Sequence, residues 1–328
     1  MLNNLLPKGF RIARYTFVFE VTEKLLLPRY KGATLRGCFG SSFQRIACPW
    51  PERCLSQPND SCECPYGQLF APRRKCEQAS FRAGEEVARP FAISPPLEMR
   101  QEYLPGDTLR FTLTLFCRAC QDLPWFLVTF RELPPIGIPP HRGRMRLKEV
   151  WAQNDVEGQQ KRIYASENPV VLNADLSITA ESIAAVCTPT QRLRLRFESP
   201  VYLRYMGIEG LRRVEFAALI SRLLQRIETI ADLYGESDWR PEGWSEEVRA
   251  LIQAAKAISI AEEQVSWFSW KRYSTRQERR VPLEGVLGET VYVGHLTPFL
   301  PLLFLGQYTQ VGKGCAFGQG VYRIVSTE

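Results

Sequence analysis

RLRLRFESPVYLRYMGIEGLRRVEFAALISRLLQRIETIADLY, residues 192–234, decides the fold. Leu193, Leu195 and Phe197 alternate with Arg192, Arg194 and Arg196, which is the period of a strand with one apolar face. From Leu211 to Tyr234 the period lengthens. Phe216, Ile220, Leu223, Leu224, Ile227 and Ile230 then fall on one side of a long amphipathic helix. Toward the C-terminus, the acidic segment 236–263 carries a further helix around Glu246 to Ala257. Two strands follow, VSWFSWKRYS (265–274) and the stretch through TVYVG (290–294), then an apolar helix, TPFLPLLFLG (297–306). A glycine-rich loop and a final strand, VYRIV (321–325), close the chain.

The first half reads the same way. Tyr15, Phe17 and Phe19 point to one side of a strand, and a helix pattern follows through Leu35, Phe39, Phe43 and Ile46, with Arg36 and Arg45 on its other faces. DTLRFTLTLF (107–116) is a strand, LPWFLVTFREL (123–133) a helix, and a glycine-bearing loop, 137–143, leads into the strand MRLKEV (145–150). Residues 151–189 form a polar hairpin and linker ending at the turn signal Thr188-Pro189. Each half therefore reads strand–helix–strand–strand–helix–strand. The fold class is α+β: two tandem ferredoxin-like domains, 1–150 and 190–328, joined by the linker 151–189. A cysteine-rich loop, 48–76, is inserted in the first domain.

Composition narrows the function. The 328 residues carry a net charge of +7, and the charge is polarised. Residues 1–47 hold eight basic and two acidic side chains, whereas 228–263 hold nine acidic and three basic. One positive face suits a polyanionic partner, and nucleic acid is the commonest. The three arginines of 192–196 alternate without interleaved acids, a pattern that reads as phosphate contact. The richest apolar run, Leu296 to Leu305, is shorter than the ~20 residues a bilayer demands and contains two prolines. Arg11 and Arg14 interrupt any N-terminal signal-like stretch, so a cytoplasmic location is expected.

Five of the ten cysteines crowd one loop: Cys48, Cys54, Cys62, Cys64 and Cys76. The loop is rich in Pro, Ser, Asn and Asp and has little apolar material to hold it. Four thiolates on a flexible loop suit a tetrahedral zinc, with Cys48, Cys54, Cys62 and Cys64 as ligands and Cys76 as the alternate. An iron–sulfur cluster or free thiols are the other readings. Cys117-Arg-Ala-Cys120 reads as small residues where a strand meets a helix.

The loop GKGCAFGQG, 312–320, contains Gly312, Gly314, Gly318 and Gly320 with Lys313. Glycines let backbone N–H groups approach a phosphodiester, and Lys313 adds charge. A tight helix-to-strand turn would account for one or two of the four. The loop is neither a Walker loop nor a dinucleotide fingerprint, because both open a helix.

VGKGCAFGQGVYRI (311–324), together with the repeated ferredoxin-like plan, resembles the CRISPR-associated repeat-processing endoribonucleases of the RAMP superfamily. WKRYSTRQERRVPLEGVLGETVYVG (270–294), YKGATLRGCFGSSFQR (30–45), CPYGQLF (64–70) and GIPPHRGRMRLKEV (137–150) are similar to one branch, which carries a cysteine-rich insertion. The resemblance implies binding of CRISPR repeat RNA and one cut per repeat. In that reaction the ribose 2′-OH attacks the adjacent phosphate without a metal, leaving a 2′,3′-cyclic phosphate and a 5′-OH. It also implies partners: the repeat RNA, the guide RNA product and other subunits of a CRISPR effector complex. No cofactor is needed for the chemistry. A histidine, a tyrosine and a lysine often share the roles of base, cation and acid.

This chain departs from that pattern. Residues 30–47 hold no histidine, and Gln310 stands where the branch often has one. His141, among Arg142, Arg144 and Arg146, and His295 are the two histidines available. A histidine-free set, Tyr30, Lys31 and Arg36, is the other option. The RNA-binding set comprises Arg36, Arg142, Arg144, Arg192, Arg194, Arg196, Arg272, Arg276, Lys313 and the four loop glycines. A non-cleaving guide-RNA-binding subunit with the same fold is the alternative function.

Overall fold

The computed structural model describes residues 6–51, 64–72, 87–138, 141–274 and 279–328. In the first half, β1 (Arg11–Val21), α1 (Gly32–Ala47), β2 (Phe91–Ser94), β3 (Thr108–Phe116), α2 (Leu123–Arg131) and β4 (Met145–Asn154) follow in order, and β5 (Gln159–Ala165) extends the edge. The sheet order is β2-β3-β1-β4-β5, and every pairing is antiparallel. After a short helix, α3 (Ala180–Ala185), the second half runs β6 (Arg192–Val201), α4 (Phe216–Tyr234), α5 (Trp244–Ala255), β7 (Ser259–Ser274), β8 (Arg279–Val293), α6 (Leu300–Thr309) and β9 (Tyr322–Thr327). Its sheet order is β7-β8-β6-β9. In both sheets the first strand lies between the third and the fourth, the ferredoxin-like arrangement.

The alternation read in the sequence sets the faces. Tyr15, Phe17 and Phe19 on β1 and Leu109, Phe111 and Leu113 on β3 bury against the helices. Phe39 of α1 stacks on Phe43 and on Phe126 of α2, with ring centroids 5.2 and 5.1 Å apart. In the second half, Leu193, Leu195 and Phe197 face Leu219, Leu223 and Ile227 of α4. That core also takes in Phe10, Ile12, Phe116 and Ile183, so the two halves meet through shared apolar packing rather than a linker alone.

Two elements differ from the sequence reading. Phe91–Ser94 is a strand that completes the first sheet, although its four residues show no alternation because Phe91, Ala92 and Ile93 are all buried. Helix α4 begins at Phe216, not Leu211. The residues before it make a small hairpin in which Arg204–Tyr205 pairs with Ile208–Glu209. Met206, Gly207 and Gly210 have φ of 48°, 85° and 67°, left-handed values that no helix accommodates.

Candidate nucleic-acid interface

The glycine loop is wedged between the two halves. On one side it meets the start of α1: the Tyr30 hydroxyl donates to the Phe317 carbonyl at 2.9 Å, and the Arg36 guanidinium lies 4.5 Å from the Phe317 ring and 4.6 Å from the Phe70 ring. A Cβ on Gly32 would stand 1.9 Å from the Phe317 carbonyl oxygen, so only glycine permits this approach. On the other side it meets β2. All four loop glycines have φ of 80–85°. A Cβ on Gly318 would stand 2.7 Å from the Ile93 carbonyl oxygen, and one on Gly320 would stand 2.0 Å from that of Val311. Contacts within the chain therefore account for every one of these glycines, and phosphate approach is not required to explain them.

Gln310, in the position where histidine was the family expectation, pins the same seam. It is buried, with φ of 63°, and its amide is oriented so that the nitrogen donates to the Cys315 and Gln319 carbonyls at 2.8 and 3.1 Å. The amide oxygen accepts from Ser94 Oγ at 3.3 Å. A side chain so enclosed serves loop geometry, not proton transfer.

Tyr30 and Lys31 reach this seam but are sealed. Burial pushes the Tyr30 phenol far above its ordinary range. Lys31 has no exposed surface; its amine donates to the Glu98 and Arg29 carbonyls at 2.6 and 3.3 Å, and burial lowers its pKa. Both therefore read as structural in this conformation. His141 and His295 are exposed. The His141 carbonyl accepts from Leu26 N–H at 3.0 Å. This loop packs against the chain before α1: a Cβ on Gly143 would stand 2.4 Å from the Lys24 carbonyl oxygen. His295 sits in the turn before a short 3₁₀ segment, Thr297–Phe299, whose capping position is Leu296. Arg144 is paired with Glu23 at 3.5 Å.

The arginines of β6 stand on the sheet face opposite the helices, as their alternation predicts, but they are not bare. Arg192 pairs with Glu262, Arg194 with Glu262 and Glu289 at 3.1 and 3.3 Å, and Arg196 with Glu289 at 2.6 Å. The acids missing from β6 come from β7 and β8. The hydrogen bond from Arg196 holds the Glu289 carboxyl below the usual carboxylate range. Arg272 lies on the long β7–β8 hairpin, and Arg276 lies outside the described residues.

A second basic region was missed in the sequence. A cleft of about 320 Å³ opens between the glycine loop, α4 and the chain entering β2. Arg89, Arg204, Arg222, Arg226 and Lys313 line it; Glu209 is the sole carboxylate among the described lining residues. Arg204 pairs with Glu209 at 3.5 Å. The partners of Arg226 and Lys313 are neutral: Arg226 donates to the Thr309 carbonyl, and the Lys313 ammonium lies 5.2 Å from the Tyr202 ring. One signal was available, since Arg222 and Arg226 are four residues apart and so share a face of α4.

Of the proposed zinc ligands, Cys54, Cys62 and the alternate Cys76 lie outside the described residues. Cys48 is buried and Cys64 half-buried. Among the described residues, no group of three His, Cys, Asp or Glu side chains could hold a metal ion. Zinc therefore gains no support there.

Residues 195–322 match the family model of the CRISPR-associated endoribonuclease Cas6, and residues 10–176 match the N-terminal-domain model AF_1859_N. No curated protein matches in sequence. Among solved structures, a partial Cas6-RT-Cas1–Cas2 complex superposes with a TM-score of 0.57 at 13% identity, over 99% of this chain and 48% of that one. The chain thus spans about half the length of that relative. A Cas6 product complex superposes at 0.56 with 14% identity, over 96% and 100% of the two chains. Thermus thermophilus Cas6 gives 0.54, again at 14%, over 96% and 99%. Such identities speak to the fold, which is shared almost end to end, while the family model speaks to descent. Residues 195–322 thus match the CRISPR-associated endoribonuclease Cas6 family, and the chain as a whole shares its fold with solved Cas6 structures.

Proposed function

We propose that the chain binds CRISPR repeat RNA with the interdomain cleft as its phosphate-binding surface, and cleaves the precursor transcript within the repeat. The observation that carries this reading is the charge of the cleft: five cations against one carboxylate among its described lining residues, next to the loop most characteristic of the family. Phosphates neutralise such a surface and release counterions, which supplies most of the affinity of basic proteins for RNA.

The cut follows the family chemistry. A base removes the proton of the 2′-OH, the oxygen attacks phosphorus, and the 5′-oxygen leaves with a proton, giving a 2′,3′-cyclic phosphate and a 5′-OH. Lys313 supplies a cation for the developing charge. His141 is the base this reading favours, since it is exposed and stands among Arg142, Arg144 and Arg146. The alternative, a guide-RNA-binding subunit that does not cut, is favoured by one observation: Tyr30 and Lys31 are both sealed. Incubating the protein with repeat RNA in EDTA separates the two. Cleavage with a cyclic phosphate end, slowed at least tenfold in His141→Ala, is the expected result; tight binding to RNA that stays intact selects the alternative. We also propose a structural zinc on Cys48, Cys54, Cys62 and Cys64, with Cys76 as alternate, because these cysteines crowd a loop with little apolar material to hold it. Elemental analysis of protein purified without added metal tests it.

A further inference from the structure

The segment between β6 and α4 builds an unusual rim for the cleft. Tyr202 and Trp267 of β7 lie side by side, with ring centroids 6.1 Å apart and planes inclined by 55°. Gly210 packs against both rings; a Cβ there would stand 3.1 Å from Tyr202 and 3.3 Å from Trp267. Each ring carries a cation. Lys313 of the glycine loop is 5.2 Å from the Tyr202 centroid, and the Arg212 guanidinium is 3.8 Å from that of Trp267. The row Lys313–Tyr202–Trp267–Arg212 therefore runs outward from the cleft, two adjacent rings flanked by two cations. Arg204 adds a third cation, while Glu209 and Glu284 are the carboxylates whose charge reaches Tyr202.

Beside this row stands the Arg204–Glu209 hairpin. Its two-residue turn is Met206-Gly207, both left-handed. Asn or Gly relaxes the first position of such a turn; methionine is strained there. Met206 is 81% exposed and Ile208 62%, so neither side chain repays that strain by packing inside the fold. The hairpin is fixed at its base, where Leu203 is buried and its carbonyl accepts from Gly210 N–H at 2.9 Å. A rigid turn that holds an apolar side chain in solvent, beside two half-exposed rings and a basic cleft, has its use outside the fold.

We propose that this rim is a stacking platform for unpaired nucleobases of the bound RNA, with Tyr202 and Trp267 offering ring faces and Met206 standing beside them as a wedge. Aromatic faces flanked by positive charge suit single-stranded nucleic acid, because every base has a π-face and every linkage a charge. The proposal rests on the RNA reading of the cleft. It assigns to the rim a different part of the ligand: bases here, phosphates there.

Two 12-nucleotide RNAs of equal charge test it: oligo(A), and an abasic strand with the same backbone. Wild-type protein binds oligo(A) about tenfold more tightly than the abasic strand, the factor one good stacking contact provides. Trp267→Leu brings that ratio close to one and leaves abasic binding unchanged. Met206→Gly, which relaxes the turn and removes no buried side chain, lowers the ratio by about two- to threefold and guards against a folding artefact in the tryptophan variant. A ratio of one in the wild type, or a ratio that survives both substitutions, overturns the platform. If the rim is covered by a second copy of the chain, sedimentation shows self-association abolished in Trp267→Leu, and the proposal is likewise overturned. Failure of wild-type protein to bind either strand instead overturns the RNA reading of the cleft itself, and the platform with it.

Discussion

The open face of β6 and the cleft beside α4 are both rich in arginine, yet they differ in what surrounds the charge. On β6 the three guanidinium groups meet Glu289 on the adjacent strand β8 and Glu262 on β7 beyond it, which ties the second sheet together. In the cleft, Arg226 and Lys313 meet a carbonyl and a ring, which orient the charge without cancelling it. A run of cations in one strand is thus weak evidence for a binding surface. What matters is the charge contributed by the other strands of the sheet, and that is set by sheet order.

The contrast gives its largest expected effect in the cleft. Lys313→Gln combined with Arg226→Gln should weaken repeat-RNA binding at least tenfold at fixed salt, measured by fluorescence anisotropy with end-labelled RNA. Equal affinity in the double variant would remove the cleft from the binding surface. A somewhat smaller effect belongs to the seam that shapes it. Gln310→Ala leaves two carbonyls and the Ser94 hydroxyl without their amide partner, and a buried polar group so deprived costs ~1–3 kcal/mol. Chemical denaturation should show that loss, and a stability equal to wild type would mean the amide does not hold the loop.

The ladder should respond less. The triple variant Arg192→Ala, Arg194→Ala, Arg196→Ala should change RNA affinity by less than about twofold, because exposed ion pairs already satisfy these charges. The smallest effect is on pH. Glu289 has a folded-state pKa below its unfolded value, so its contribution to stability is present above the ordinary Glu range of about 4.3 and is lost as pH falls through the depressed value. Thermal melts of Glu289→Gln should lie slightly below wild type near neutrality and converge with it in acid. A gap that widens in acid would contradict the assignment.

Much of the fold was legible because its signals are local. The alternation of Leu193, Leu195 and Phe197 and the helical spacing of Phe216 to Ile230 each fit inside one element, and both appear where they were read. Phe91–Ser94 escaped because a short strand buried on both faces has no alternation to read. The hairpin at Arg204–Glu209 was given no reading, although Gly207 and Gly210 marked a turn, and the helix after it was begun at Leu211 instead of Phe216. The site was less legible than the fold. The glycine loop was found, but the cause of its glycines lies in Val311 at its own start and in Ile93 and Tyr202, which the fold brings against it from two separate segments. The acids that pair the ladder were hidden for the same reason, since Arg196 and Glu289 are 93 residues apart. Arg89 and Lys313, in different halves of the sequence, share a cleft for a reason only the interdomain packing supplies.

The claim that phosphates bind in the cleft and not on the ladder is tested most directly by the salt dependence of repeat-RNA binding, compared across three proteins. Each phosphate that a variant no longer neutralises makes the slope of log K against log salt shallower by ~0.7 for single-stranded nucleic acid. Lys313→Gln/Arg226→Gln should flatten the wild-type slope by about 1.4, the equivalent of two phosphates, while the triple arginine variant of β6 retains it. The reverse pattern, a flattened slope in the β6 variant and an unchanged one in the cleft variant, would contradict the account.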